Sequence, residues 1–374
     1  ASDGKVEVKA DWSNGKVAMN GTSYNGALPL AAAITGVEGL ETIIPEAPPF
    51  NWYDYYRSNG QVWAPGGYQG EDLGDLHAYC QTRQIVSGRN PSKTPPDEAT
   101  ATYIQSYLNE MIVKEDRTTG DYSEYWDARN MAKYGGDVRC SILITHGLND
   151  WNVKIKHTAL VIEMCKKYGI EWKAIFSQSG HSSVLGLDGM NIYDKLQGWM
   201  DHYLLGLDNG MPEDMATVTL LNNDCVWQEF DTWPIEGNEY TEMRLTGSNR
   251  DPKVGYITSE LLNGEQEASF VDEYIPSVPA EDRTQLFGYM NSERGTAVTE
   301  WENLIVTGNT DGTIDLTKAV TDRLLFTTDP LTEDTRLSGT TKVTLRVKAD
   351  KNVGAISAMI VDYGKIAAPT TRRN

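Results

Sequence analysis

Lys16-Val17-Ala18-Met19 followed by Gly21-Thr22-Ser23-Tyr24-Asn25-Gly26 and then Leu28-Pro29-Leu30-Ala31-Ala32-Ala33-Ile34 is the stretch that decides the fold. A short apolar strand runs into a tight turn and out into a helix-prone run. A nucleophile elbow needs this setting: small residues must flank a serine whose hydroxyl stands clear of the sheet edge. On this reading Ser23 is a nucleophile, and the backbone N–H of Tyr24 faces the oxyanion of a tetrahedral intermediate.

Two further stretches extend the pattern. Cys140-Ser141-Ile142-Leu143-Ile144-Thr145-His146 reads as a buried parallel strand ended by Gly147, with Asn149 and Asp150 just beyond it. An amphipathic helix is predicted from Ile155 to Tyr168, then a strand over Trp172-Lys173-Ala174-Ile175-Phe176 that ends in Ser177-Gln178-Ser179-Gly180-His181-Ser182. Functional groups of open parallel sheets gather beyond the carboxyl ends of strands. Asp150 and His181 should therefore face Ser23. The chain order Ser, Asp, His is that of the α/β-hydrolases.

Each residue type has its reason. A serine hydroxyl attacks only when a neutral imidazole accepts its proton, which His181 would do. Asp150 would hold that imidazole in one tautomer and stabilise the imidazolium. The bland readings are a structural serine in a turn, a helix N-cap for Asp150 and a polar loop residue for His181. The other histidines fit the base less well. His146 lies at a strand end before the acid, His157 and His202 lie in helical patterns, and His77 has no strand before it.

Gly21-Thr22-Ser23-Tyr24-Asn25-Gly26 and His146-Gly147-Leu148-Asn149-Asp150-Trp151-Asn152-Val153, with Gly180-His181-Ser182, resemble the Xaa-Pro dipeptidyl-peptidases of the S15 serine peptidase family. Asn25 stands where the general hydrolase motif has its second glycine, and Gly26 follows one place later, as in this family. The resemblance implies removal of an Xaa-Pro dipeptide from a free peptide N-terminus. Trp52 and Tyr55, in Asn51-Trp52-Tyr53-Asp54-Tyr55-Tyr56, resemble the walls of the proline pocket, with Val153 beside the acid loop. Glu71 resembles the acid that binds the α-ammonium, with Tyr68 and Asn152 near it. The aromatic run also has a plain reading, a helix packed against the sheet.

With 374 residues the chain exceeds one ordinary core. The expected organisation is an α/β-hydrolase part over 1–47 and 137–210, a helical cap insertion over 48–136, and a β-sandwich over 211–374. The cap carries a helix from Glu98 to Val113, with Tyr103, Ile104, Tyr107, Leu108 and Met111 at helical spacing. Alternating runs such as Val343–Val347 and Ile356–Val361, separated by turn residues, argue for the sandwich. The resemblance makes it a jelly roll with a structural role, shielding the site or building an oligomer interface such as a homodimer.

Only 22 residues precede Ser23, room for one strand where such a sheet usually builds several. The expectation is an internal portion of a longer protein, whose upstream part completes the sheet and supplies a second oxyanion donor, a tyrosine in this family. The net charge of −20 argues against nucleic acid as partner. No apolar run is long enough for a membrane helix, and no signal peptide is legible at the start. Cys80, Cys140, Cys165 and Cys225 form no C-x-x-C pair and read as reduced, buried thiols of a cytoplasmic protein. No pattern for a metal or cofactor occurs. Two other readings stay open: an acyl esterase or amidase with the same triad but no amine site, and a non-catalytic carbohydrate- or protein-binding module.

Overall fold

In the computed structural model the described residues are 10–58, 61–62, 98–116, 118–150, 152–181, 191–237, 239–251, 254–259, 303–309, 311–316, 323–348, 350 and 356–363. The chain divides into two compact units, with the change at Trp233/Pro234.

The first unit begins with β1 (Val17–Thr22), α1 (Tyr24–Ala33), β2 (Leu40–Glu46), α2 (Trp52–Tyr56) and the small ladder β3 (Arg57–Ser58) with β4 (Gln61–Val62). It continues with α3 (Glu98–Lys114), α4 (Glu124–Asp127), a 3-10 turn (Met131–Asp137), β5 (Ser141–Gly147), α5 (Lys156–Tyr168), β6 (Trp172–Ser177), α6 (Ile192–Met200), β7 (Val218–Leu221) and β8 (Trp227–Phe230). Six strands form one sheet in the order β1-β2-β5-β6-β7-β8. The first five run parallel and β8 returns antiparallel to β7. This is the α/β sheet of hydrolase type that the strand, turn and helix pattern predicts.

The apolar runs of β2, β5 and β6 serve both faces. Ile43, Ile142, Ile144, Ala174 and Phe176 pack with Leu30 of α1 and Val161, Ile162 and Cys165 of α5. Their alternating neighbours Ile44, Leu143 and Ile175 pack on the other side with Ile192 and Trp199 of α6. A strand sends successive side chains to opposite faces, so a sheet covered on both reads as continuous Val, Ile and Leu. On this second face the indole Nε1 of Trp199 donates to Thr42 Oγ1 at 2.7 Å. Parallel strands end together: Thr22 lies opposite Glu46, Glu46 opposite Thr145, and Gly147 opposite Ser177. The residues after β1, β5 and β6 therefore share one edge.

The sheets bear on the expected organisation, and one cysteine departs from its expected burial. The boundary at 210/211 falls before β7 and β8, which pair with β6 and extend the first sheet. Alternation marks a strand but not the sheet it joins. Among the described residues Val343–Val347 and Ile356–Val361 join no ladder, and Val343, Leu345, Val347, Ile356, Met359 and Ile360 are exposed. A strand needs a neighbour as well as a pattern, and among the described residues the second unit shows one three-stranded sheet. It comprises β9 (Arg244–Asp251) antiparallel to β10 (Val254–Thr258), which is parallel to β11 (Leu325–Thr327). Cys225 is exposed in the turn between β7 and β8, at φ 61°, whereas Cys140 and Cys165 are buried free thiols; Cys80 lies outside the described residues. Among the described residues no helix is long and apolar enough to cross a membrane.

Candidate active site

Ser23 sits between β1 and α1 with φ 67° and ψ −130°, a backbone region costly for any residue with a Cβ. The strain is held from both sides. Ser23 N donates to Glu46 O at 2.8 Å, and Ser23 O accepts from Gly26 N at 2.8 Å and Ala27 N at 3.1 Å. The two glycines of the motif have a steric cause. A Cβ on Gly21 would lie 2.4 Å from Asn25 O, and one on Gly26 would lie 2.7 Å from Glu46 O. Tyr24 is the first residue of α1, so its N–H has no acceptor within the helix. Thr22 Oγ1 donates to Oε2 of the buried Glu46 at 3.1 Å, a carboxylate beside the elbow that nothing in the local sequence singles out.

The loops after β5 and β6 are laced together. Leu148 N donates to Ser177 O at 2.8 Å, Asn149 N to Ser179 O at 3.1 Å, and Asn149 Nδ2 to Gln178 O at 2.9 Å. Gly147 permits this approach, since a Cβ there would stand 2.3 Å from Ser179 O. As a result Asp150 Oδ2 lies 2.7 Å from His181 Nδ1. The Asp150 side chain is fully buried and that of His181 is 18% exposed. In the neutral imidazole, Nδ1–H donates to the carboxylate and the lone pair rests on Nε2. Asp150 Oδ1 accepts from Asn152 N at 2.8 Å and Val153 N at 2.9 Å.

A second imidazole reaches the same acid. His146 Nε2 is 3.1 Å from Asp150 Oδ2 and 3.0 Å from Val153 O. Burial alone would push the Asp150 carboxyl up. Hydrogen bonds from His146 and His181, with the charge those rings can carry, outweigh it and bring the group down to about 2. The carboxylate is thus ionised in any ordinary buffer.

The aromatic run forms α2, capped by Asn51 Oδ1, which accepts from Tyr53 N. Trp52 lies 5.6 Å from the Tyr24 ring, 5.9 Å from Tyr55 and 6.0 Å, stacked, from Tyr56. Tyr55, Tyr56, Trp126 and Val153 form a buried cluster with Trp52 packed against it. Val153 is therefore a core residue of this cluster, fully shielded from solvent. The segment after the acid clamps α2. Tyr55 OH donates to Asn152 Oδ1 at 2.7 Å, and Lys154 Nζ donates to the carbonyls of Asp54, Tyr55 and Arg57 at 2.7, 3.0 and 3.1 Å. Lys156 pairs with Asp54 at 2.5 Å. His157 Nδ1 accepts from Phe50 N at 3.1 Å and Asn51 N at 3.4 Å. Burial, helped by the charge of Lys154, pushes His157 down to about 3 and keeps it neutral.

The structure thus brings Asp150 to His181, sets Ser23 on the same sheet edge, and links Tyr24, Trp52, Tyr55, Asn152 and Asp150 through successive contacts. Tyr68 and Glu71 lie outside the described residues. Among the described residues no group of three or more His, Cys, Asp or Glu side chains is placed to hold a metal ion. Sequence reasoning set His146 aside as a rival base. Its position at the end of β5, four residues before the acid, was the available signal.

Comparison with known proteins follows the same division. The family described as X-Pro dipeptidyl-peptidase (S15 family) matches residues 6–183, and the X-Pro dipeptidyl-peptidase C-terminal non-catalytic domain matches residues 209–371. The latter match starts before β7, although β7 and β8 are built into the first sheet. An Xaa-Pro dipeptidyl-peptidase of Ligilactobacillus salivarius is 34% identical over 360 residues, 96% of this chain and 40% of the relative. One from Lactobacillus delbrueckii subsp. bulgaricus is 32% identical over 360 residues, 96% of this chain and 41% of the relative. The chain spans about two fifths of the length of these relatives. With motifs, sheet order and both matched regions in agreement, the chain belongs to the X-Pro dipeptidyl-peptidase family, S15.

Proposed function

We propose that the protein acts as a serine exopeptidase releasing Xaa-Pro dipeptides from free peptide N-termini. The observation that carries this reading is the 2.7 Å contact between His181 Nδ1 and the buried Asp150, on the same sheet edge as the strained turn at Ser23. Ser23 Oγ attacks the carbonyl of the second residue, the proline, while His181 Nε2 takes its proton. The Tyr24 N–H donates to the oxyanion. His181 then gives the proton to the leaving amine, and water, activated by His181, hydrolyses the acyl-enzyme to free the dipeptide. Asp150 stays ionised throughout and stabilises the imidazolium.

In this reading Trp52 and Tyr55 supply the flat apolar wall that a proline ring needs, with Val153 supporting it from the core. Asn152, held by Tyr55, and Glu71 with Tyr68 serve the substrate's α-ammonium by resemblance to the family. Residues 48–136 act as the cap over the site, and the second unit is the non-catalytic domain, a jelly roll by the same resemblance. The buried thiols of Cys140 and Cys165, pushed up by burial to about 11 and about 12, suit a reducing, cytoplasmic compartment.

The test is release of nitroaniline from Gly-Pro-nitroanilide, with Ser23→Ala and an N-acetylated substrate run beside it. Loss in both controls supports the dipeptidyl-peptidase. Equal cleavage of the acetylated substrate would overturn it in favour of an esterase or amidase.

A further inference from the structure

We propose that His146 is a positioning residue for Asp150, a second imidazole that fixes the direction and hydrogen-bonding strength of the carboxylate holding His181. The proposal rests on the serine-peptidase reading of Ser23, Asp150 and His181.

His146 belongs to β5 itself, and its side chain is fully buried. The two atoms facing Nε2, Asp150 Oδ2 at 3.1 Å and Val153 O at 3.0 Å, are both acceptors, so Nε2 carries a proton. Nδ1 lies 2.6 Å from Thr158 Oγ1 of α5, whose hydroxyl donates to the ring lone pair in the neutral form. Strand, loop and helix therefore fix this ring at both nitrogens. A histidine kept only for packing would need Thr158 and Val153 O and nothing more. The contact to Oδ2, the oxygen that His181 also uses, is what joins it to the site.

The consequence is a carboxylate with four donors: two imidazole N–H groups on Oδ2 and the Asn152 and Val153 N–H groups on Oδ1. It cannot rotate without losing bonds on both oxygens. Donation from His146 also draws charge from Oδ2 and so limits how tightly that oxygen holds His181. Three more titratable groups packed around this loop make the following hydrogen bonds. Lys154 reaches the carbonyls of α2, Lys156 pairs with Asp54, and His157 accepts from Phe50 and Asn51. Among the described residues, the two imidazoles are the side chains that hydrogen-bond the carboxylate.

The test uses the full 374-residue chain with histidine labelled by nitrogen-15. His146→Phe keeps the ring bulk without the donor, and His146→Gln keeps an N–H near the Nε2 position. Thr158→Val leaves His146 in place but removes its second partner. Two quantities are read: the NMR signal of the His181 Nδ1 proton, and the pH profile of Ser23 labelling by a fluorophosphonate. With His146→Phe, we expect the His181 proton to move downfield and the pH of half-maximal labelling to rise. Labelling at neutral pH should slow about tenfold, the scale of one charge-assisted hydrogen bond. His146→Gln should restore most of both, and Thr158→Val should move both in the same direction by less.

If Phe and Gln variants lose thermal stability alike while the His181 signal and the labelling profile stay at their original values, the role is purely structural and the proposal fails. If the unaltered protein is not labelled at all, the peptidase reading fails instead. The proton signal then still decides the role of His146. Should His146→Phe not fold, the Gln and Val variants carry the same comparison.

Discussion

The Tyr55 hydroxyl donates a 2.7 Å hydrogen bond to Asn152 Oδ1, and the backbone N–H of that asparagine lies 2.8 Å from Asp150 Oδ1. Tyr55, which on the proposed reading lines the proline pocket, is therefore two hydrogen bonds from the carboxylate that holds His181. On the proposed reading, substrate recognition and proton transfer would share a support that can be altered without touching Ser23 or His181.

Tyr55→Phe removes the bond to Asn152 and leaves the packing with Trp52 and Tyr56. We expect a stability cost of about 1 kcal/mol, the usual net value of such a bond. KM for Xaa-Pro substrates should rise several-fold, with the fluorophosphonate labelling rate of Ser23 little changed. An unchanged KM would reduce Tyr55 to a packing residue.

Lys154→Met takes the cation away from three carbonyls at the end of α2. Carbonyls that lose a charged donor in a part-buried site should cost roughly 2–3 kcal/mol in total. Urea unfolding of the two proteins measures this directly. A difference below about 0.5 kcal/mol, the range of ordinary surface changes, would show that the clamp adds nothing.

Gly26→Ala would put a methyl 2.7 Å from Glu46 O and 2.8 Å from Gly21 O, both backbone atoms. Relief requires the elbow to open, at a cost of about 1–3 kcal/mol for overpacking. Ser23 labelling should be lost while circular dichroism stays close to that of the parent. Full labelling in a folded variant would contradict the steric account of the motif.

Acid should destabilise the first unit in two stages. His157 is held down to about 3 by burial, so the unfolded chain takes up its proton first as pH falls below the ordinary value of 6.5. That contribution is complete above this value, and between it and the folded one stability drops by about 1.4 kcal/mol per pH unit. Asp150, brought down to about 2 from 3.8, follows the same sign at lower pH. Its share, on the order of 2 kcal/mol, is present above the unfolded value and lost as pH falls from about 4 to about 2. Urea midpoints measured across this range should show both limbs, and His157→Gln should flatten the upper one. An upper limb equally steep in that variant would refute the assignment.

The elbow, β5, β6 and α5 were legible because their signals are local. A tight turn needs glycines at fixed places, and a strand covered on both faces reads as unbroken Ile and Leu. What was not legible depends on partners distant in sequence. The hairpin of β7 and β8 looks like any pair of sandwich strands until it is seen on the edge of β6. The alternation at Val343–Val347 describes side chains suited to a sheet without naming a neighbour. His146 looked like a strand residue by its pattern. Only the turn of the chain through Asp150 brings an oxygen to its Nε2.

The lacing of the two loops at Gly147 has a consequence for how such a protein can diversify. The loops that carry Asp150 and His181 are stitched backbone to backbone, so an insertion in either would displace both side chains at once. Freedom lies in the segments that lean on this hinge from outside. On the proposed reading, new substrate preferences would come from rebuilding α2 and the residues beyond it, with the paired loops carried along as a fixed cassette.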